Sequence, residues 1–369
     1  MEIDRRQFIQ LAAASLGAHQ LGKTTSALAN SSDGLYAASR QLLNNKNEAA
    51  LFDENGEIVQ AVELPSRGHD VALRPFSSEF VMFARRPGRY GVVIPLDKKQ
   101  TSQFFHAAAN RHFYGHGIFS KDGRLLYSTE NDYLNGVGVV GVRDATDGYK
   151  QVGEFATHGI GPHDMALMGD GETLVIANGG IETSPETGRQ ILNLADMSPS
   201  LVYVNRLSGE LIEKCELQAD LKQLSIRHLT IARNERVVFG CQFKGPAHER
   251  PPLIGFHDRG GIIKLRRATS DIHRKMKNYI GSVTVDQSGE IIAASSPRGN
   301  MVTFWGTQNL EYKGKRIIQD GCGVAKTQND RNFLITSGDG DVVVTGLDEN
   351  ISRAKIPAVH FDNHTARIR

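Results

Sequence analysis

The stretch GPHDMALMGDG, residues 161–171, contains the arrangement that decides the fold. A Gly-Pro turn leads to a histidine and an acid, then to a short apolar run, and then to a second turn at Gly169-Asp170-Gly171. Glycine and aspartate mark turns, and a short apolar run between two turns is typical of a buried strand. The stretch therefore predicts one short strand that begins at a histidine.

The same arrangement recurs along most of the chain, and we call the residue at the position of the histidine the anchor. Consecutive anchors are 40 to 65 residues apart. The anchors are His69, His116, His163, His228, Ser282, Cys322 and His364. A period of about 40–50 residues with several short strands in each period is typical of a β-propeller.

Each period contains four runs of strand length, and the two ends of the chain are incomplete in a complementary way. After His116, for example, the runs are GIFS, RLLYSTE, GVGVVGV and YKQVGEF. The last anchor, His364, is followed by one such run, whereas the segment before His69 supplies three. We therefore predict an all-β fold for residues 30–369, a seven-bladed β-propeller closed by pairing the C-terminal strand with the N-terminal strands. Closure of this kind removes the open edges of the sheets.

Residues 1–29 resemble a twin-arginine export signal peptide. Arg5 and Arg6 precede a mildly apolar core, and Ala27-Leu28-Ala29 forms a small-x-small cleavage site. We expect cleavage after Ala29 and a periplasmic mature protein, whereas the alternative is the basic start of a first helix. The apolar run is too short for a permanent membrane anchor. The net charge of +2 gives no reason to expect nucleic acid as a partner.

The anchors are expected to surround one mouth of the central channel, because the first strand of each propeller blade is the innermost. The turns between second and third strands lie on the same face, and two of them are long, at residues 178–200 and 244–252. Long loops are costly to order and often carry function. Imidazole is the commonest metal ligand in proteins, and a carboxylate directly follows two of the anchors. The candidate metal ligands are His69, His116, His163, His228, His364, Asp70 and Asp164.

Imidazole and carboxylate together suit iron, copper or zinc. Because seven blades enclose a wide channel, we expect two or three of these histidines to hold one ion. A structural role is the alternative for each histidine, since a repeated polar residue can hydrogen-bond the backbone of the neighbouring blade. No G-x-S-x-G, H-E-x-x-H or P-loop motif occurs, so the sequence assigns no catalytic residue.

Several long segments resemble a bacterial family of unknown function whose members are twin-arginine-exported periplasmic propeller proteins. They are NGGIETSPETGRQILNLADMSPSLVYVN, LSIRHL, PPLIGFH, SSPRGN and DGCGVA. Genes of this family commonly lie beside those of imelysin-type periplasmic iron proteins, which implies a role in iron or other metal acquisition and periplasmic iron-handling proteins as partners. The motif residues that the resemblance implies for a ligand or partner face are Asn178, Arg189, Asn193, Arg227 and Arg298. At Ser184 the family typically has histidine, which weakens a ligand role at that position.

The sequence therefore predicts a periplasmic propeller that binds a metal, a metal complex or a protein partner through its histidine-ringed face. Two alternatives stay open. One is an enzyme, because seven-bladed propellers include lactonases and quinoprotein dehydrogenase subunits, and the other is a pure interaction scaffold. The identity of the ligand and the oligomeric state are left open by the sequence.

Overall fold

In the computed structural model, which describes residues 34–347 and 350–369, the strands form seven four-stranded antiparallel sheets. Each sheet is one blade, so the predicted seven-bladed all-β propeller is confirmed. The predicted export segment, with Arg5, Arg6 and the cleavage site at Ala29, lies outside the described residues.

The strands follow one another in the order that the repeat predicts. They are β1 (Leu35–Leu42), β2 (Asn47–Asp53), β3 (Ile58–Leu64), β4 (Gly68–Leu73), β5 (Glu79–Ala84), β6 (Tyr90–Pro95), β7 (Gln103–His106), β8 (Arg111–Phe119), β9 (Leu125–Asp132), β10 (Val137–Asp144), β11 (Lys150–Ala156), β12 (Pro162–Leu167), β13 (Thr173–Asn178), β14 (Ser200–Asn205), β15 (Leu211–Glu216), β16 (Leu224–Ile231), β17 (Val237–Phe243), β18 (Ile254–His257), β19 (Lys264–Arg266), β20 (Ser282–Val285), β21 (Ile291–Ser296), β22 (Met301–Gly306), β23 (Tyr312–Ile317), β24 (Gly321–Lys326), β25 (Asn332–Ser337), β26 (Asp341–Gly346), β27 (Asn350–Lys355) and β28 (Val359–Arg367).

Helical structure is sparse in the described part of the chain. One short α-helix, α1 (Ser270–Lys275), precedes β20. The 3-10 helices are Pro185–Thr187, Leu194–Asp196, Ala219–Leu221, Arg233–Glu235 and Pro297–Gly299. Within the described residues, no helix is long and apolar enough to cross a membrane.

The ring is closed by the two ends of the described chain. Blade 1 contains β28, β1, β2 and β3 in that spatial order, and blades 2 to 7 contain consecutive sets of four strands from β4–β7 to β24–β27. β28 runs antiparallel to β1, with Arg367 opposite Tyr36 and Thr365 opposite Ala38. The last strand thus completes the sheet that the first three begin, which confirms the predicted closure.

Burial explains why the central strands of each blade are continuous apolar runs, whereas the outer strands alternate. β13 (TLVIAN) is buried along its whole length because a neighbouring blade covers each face, while the outer strand β15 (LIEKCE) alternates half-buried and exposed residues. The core lies between adjacent blades. Phe83 and Phe105 of blade 2, for example, pack edge to face on Phe113 of blade 3.

Blade 3 also contains an ion pair with no access to solvent. The guanidinium of Arg143 lies 2.7 Å from Oε1 of Glu130, and both side chains are at most 1% exposed. The hydroxyl of Ser128 donates to the same carboxylate oxygen and accepts from the guanidinium, each at 2.7 Å. The guanidinium also lies over the rings of Phe105 and Phe113. The pair thus joins β9 to β10 in a dry environment.

The first strands of neighbouring blades contact one another and line the central channel. The expectation that each first strand begins at its anchor is wrong in detail. β8 begins at Arg111, well before His116, and β16 begins at Leu224, before His228. His116 and His228 instead lie inside their strands, because the pairing with the second strand continues on both sides of an irregularity in the ladder, whereas Ser282 is the first residue of β20.

Candidate functional site

All five anchor histidines converge in one buried group, which we call the histidine cluster. His116 contacts the other four, with ring centroids 4.7–5.6 Å apart. The members are His69, His116, His163, His228 and His364, each at most 6% exposed. The five side chains thus meet near the channel axis, although seven blades surround it. The other two anchors, Ser282 and Cys322, are small, and His364 approaches His228 across that side of the ring, at 4.7 Å.

Bulges in the first strands aim the anchors at the channel axis. The register with the second strand shifts between Pro162 and Asp164, so His163 is the additional residue. A bulge adds one residue to a strand and redirects its side chain. A comparable shift in β8 includes Gly115, whose φ is +107° and where a Cβ would lie 2.5 Å from the imidazole of His69. Only glycine fits there, because a side chain would displace a member of the cluster.

Carboxylates hold two of the imidazoles through Nδ1. His69 Nδ1 lies 2.9 Å from Asp362 Oδ1, and His116 Nδ1 lies 2.9 Å from Asp70 Oδ2 and 3.4 Å from Asp164 Oδ1. A carboxylate at Nδ1 fixes the tautomer and leaves Nε2 as the free ligand atom. The structure thus brings both predicted aspartates to the histidine cluster, in a position to orient an imidazole as well as to bind an ion.

Asp362 is a site residue that sequence reasoning missed. Its carboxylate is buried and pairs with Arg67 at 2.8 Å and Arg85 at 3.0 Å in addition to His69. These partners hold the pKa of Asp362 far below its usual range despite the burial, which acts the other way. The available sequence signal is an acid two residues before the anchor, which only the last two repeats have, as Asp320 and Asp362.

Several imidazole nitrogens in the histidine cluster have no hydrogen-bond partner among the described residues. They are His116 Nε2, His163 Nδ1, His364 Nε2 and both nitrogens of His228. A buried polar atom without a partner costs about 1–3 kcal/mol. The alternative that these anchors hydrogen-bond the neighbouring blade through their side chains is thus not supported for His228.

Burial keeps the imidazoles neutral. It lowers the pKa of His364 to about 4 and holds the pKa values of His69, His163 and His228 well below their usual range, with mutual repulsion acting in the same direction. Burial also raises the pKa of Asp164 to about 6. Neutral imidazole is the form that binds metal ions. The cluster is therefore in its metal-binding protonation state at neutral pH.

We expect the metal-free protein to lose stability as the pH falls from about 6.5 to about 4. Unfolded histidines bind protons below about pH 6.5, whereas the buried ones do not, so the unfolded state binds more protons and the free energy of unfolding falls. His364 alone contributes about 3 kcal/mol. The raised pKa values of Asp70 and Asp164 act in the opposite direction. Because five imidazoles have lowered pKa values and only these two carboxyls of the cluster have raised ones, the net effect is a loss of stability.

Denaturant unfolding at a series of pH values measures this loss. Replacing His364 by Gln should make the pH profile shallower, whereas replacing the exposed His106 by Gln should leave it unchanged. A wild-type profile that is flat between about pH 6.5 and pH 4 would contradict the burial of neutral imidazoles in the folded state.

A cavity of about 220 Å³ opens onto the histidine cluster, and we call it the basic chamber. His69, His163 and His228 belong to both. The cationic residues that line the basic chamber are Arg85, Arg86, Arg189, Arg227, Lys244 and Arg298. No acidic side chain of the described residues lines it. Five of the six cations lie in turns between second and third strands, which is the face that the sequence predicts to be functional, and the sixth, Arg227, lies in the first strand β16.

The basic chamber contains some of the predicted ligand-face residues and not others. Arg189, Arg227 and Arg298 line it. The amide of Asn178 instead donates to the backbone oxygen of Thr157, and Asn193 bridges Gly180 and Glu182 within its own loop. These two asparagines therefore shape the loop. Sequence reasoning missed Arg85, Arg86 and Lys244, which lie in or next to turns without a repeated motif.

Comparisons with known proteins identify a family and the fold. Residues 62–368 match a protein-family model described as protein of unknown function (DUF1513). No curated protein matches the chain. Among solved structures, hydrazine synthase of Kuenenia stuttgartiensis is similar with a TM-score of 0.62 at 12% identity, and the alignment covers 88% of this chain and 99% of that chain. The periplasmic gluconolactonase PpgL of Pseudomonas aeruginosa has a TM-score of 0.61 at 11% identity, covering 90% and 99%. At such identities the likeness shows the fold alone.

Proposed function

Because the chain belongs to the DUF1513 family, whose description names no activity, we propose from the chemistry of its site that the protein binds one divalent transition metal ion at the histidine cluster. We propose that the protein takes part in metal acquisition in the periplasm. The gene neighbours of the resembled family and the export signal expected in residues 1–29 motivate this setting.

The observation that supports metal binding is the spacing of the imidazole nitrogens. One ligand atom from each of His69, His116 and His163 lies within 4.8 Å of the others, and so does one from each of His116, His228 and His364. A tetrahedral ion with metal–nitrogen bonds of about 2.0–2.1 Å needs nitrogens about 3.4 Å apart. Small side-chain rotations therefore suffice to bind an ion in either group.

The two groups share His116, which limits the number of ions. Nδ1 of His116 is occupied by Asp70, so only Nε2 is free to bind a metal. One nitrogen lone pair binds one ion. We therefore expect one ion per chain, held by His116 and two or more of the surrounding imidazoles.

The donor set selects the class of metal. Neutral imidazoles suit iron, copper, nickel and zinc, whereas magnesium and calcium require oxygen ligands. The carboxylates of Asp70 and Asp164 lie beside His116 and add negative charge next to the ion. Iron, copper, nickel and zinc are therefore the candidates, and affinity should increase from Fe²⁺ to Cu²⁺ in the general order for divalent ions.

Replacing His163 and His228 together by Ala should weaken Zn²⁺ and Cu²⁺ binding by about a hundredfold or more, because each group of three loses a ligand. Competition with a chromophoric chelator measures the affinity, and elemental analysis of protein purified from the periplasm measures the metal content. The control is replacement of two exposed histidines, His106 and His248, by Ala.

Two results would contradict the proposal. One is a wild-type protein that takes up no transition metal at pH 7.5. The other is a folded His163→Ala/His228→Ala variant whose metal affinity equals that of the control. Should the alanine variant unfold, His163→Gln/His228→Gln keeps polar groups at both positions and tests the same point.

A further inference from the structure

The basic chamber contains buried cationic groups that the protein itself does not pair. Nε and Nη1 of Arg227 and Nη1 of Arg86 have no hydrogen-bond partner among the described residues, and Arg227 is only 6% exposed. Of the six cations, Arg85 alone forms a described ion pair, with Asp362. An unpaired buried charge is costly, so this arrangement is favourable only when an anion completes it.

The cations of the basic chamber repel one another strongly. Burial and the neighbouring arginines lower the pKa of Arg227 to about 9 and that of Lys244 to about 6. The Lys244 amine has only the neutral Gln242 oxygen as a described partner, at 2.9 Å. An anion in the chamber would offset this repulsion. Its binding should therefore be strong at low ionic strength and weaken as salt is added.

The size and the apolar lining indicate an organic anion. A cavity of about 220 Å³ is smaller than the roughly 300–1,000 Å³ typical of sites for drug-sized ligands. Ile181, Ile191, Tyr114 and Tyr279 also line it, and the Tyr279 ring lies beneath the guanidinium of Arg298 at 4.4 Å. These side chains suit a short carbon skeleton better than a fully hydrated inorganic ion.

We propose that the basic chamber binds a small organic polycarboxylate, so that the metal ion is held between the carboxylates of this anion and the histidine cluster. The metal-bridging part rests on the proposed function, whereas anion binding by the chamber does not. His69, His163 and His228 line the chamber and also belong to the cluster, so a carboxylate in the chamber reaches a metal bound there. The ligand of the combined site is thus an anionic metal chelate.

The test uses citrate as the probe and titration calorimetry as the measurement. Wild-type protein should bind citrate without metal. Replacing Arg189 and Arg298 by Gln should weaken that binding by about a hundredfold, since each charge-assisted contact contributes about tenfold. Both residues are exposed at the chamber and are not part of the core, so folding is preserved. The control replaces Arg233 and Arg331, exposed arginines in turns between first and second strands on the other face, by Gln.

Inorganic phosphate and the variant His116→Gln complete the design, because both groups of three share His116 and its side chain does not line the basic chamber. The His116→Gln variant should bind citrate as wild type does but lose the additional affinity that citrate gains when the protein carries Zn²⁺. Equal citrate affinity in the Arg189/Arg298 and control variants overturns the proposal, and so does phosphate binding as tight as citrate binding. Citrate binding without any metal uptake refutes the metal site and the bridging chelate while leaving the anion site intact, so the two failures are distinct.

Discussion

Deleting residues 363–369 should lower the melting temperature by about 10 °C or more and cause aggregation, because the ring can no longer close. The deletion removes the part of β28 that pairs with Tyr36, Ala37 and Ala38, and these three residues are fully buried in the closed ring. The loss exposes an edge of blade 1 and part of the core between blades. A loss of several kcal/mol corresponds to a shift of roughly this size.

Scanning calorimetry and size-exclusion chromatography measure this effect. Because the deletion also removes His364, a second variant, Ala366→Pro, separates closure from the loss of a cluster member. Proline opposite Ala37 breaks the ladder between β28 and β1 without changing any histidine. Removal of Arg369 alone, which lies beyond β28, is the control and should change the melting temperature little. An unchanged melting temperature in both variants would show that β28 does not hold the ring closed.

Replacing Glu130 by Ala should cost about 3–5 kcal/mol of unfolding free energy, because it leaves the guanidinium of Arg143 buried without its counterion. Urea unfolding measures the loss. The control is Glu63→Ala, which removes a solvent-exposed pair with Lys46 and should change the free energy of unfolding far less. Replacing both members of the buried pair with apolar residues, Glu130→Leu and Arg143→Met, should recover much of the stability. Similar losses of unfolding free energy for Glu130→Ala and Glu63→Ala would show that solvent reaches the pair of Glu130 and Arg143.

The fold could be predicted from the sequence because every blade repeats the same sequence pattern. One anchor and four strand-like runs recur at regular spacing, and the incomplete ends are complementary. The convergence of His69, His163 and His228 follows from the same regularity, since equivalent positions in a ring face its axis. The bulges could not be predicted, because a bulge depends on the pairing of two strands and each strand alone carries no sign of it.

The basic chamber was harder to predict than the histidine cluster. Arg86 and Lys244 lie in or next to turns that differ in length and composition, so no repeat places them in relation to one another. Their convergence depends on the paths of separate loops. For Asn178 and Asn193 the prediction failed in the opposite way. Their motifs suggested a ligand face, but their amides bind backbone oxygens and shape the long loop. Repetition therefore predicts what the inner strands contribute, and tertiary structure alone shows what the loops contribute.

The strand that closes the ring also carries Asp362 and His364, so the histidine cluster is completed only when the ring closes. A chain still under synthesis contains four of the five imidazoles. It lacks Asp362, which orients His69, and His364, which completes the histidine cluster. If the proposed metal site is correct, the group of His116, His228 and His364 could bind an ion only after the last residues of the chain had joined the first. Binding at this group would thereby report that the ring is whole, whereas a truncated copy would keep only the group of His69, His116 and His163.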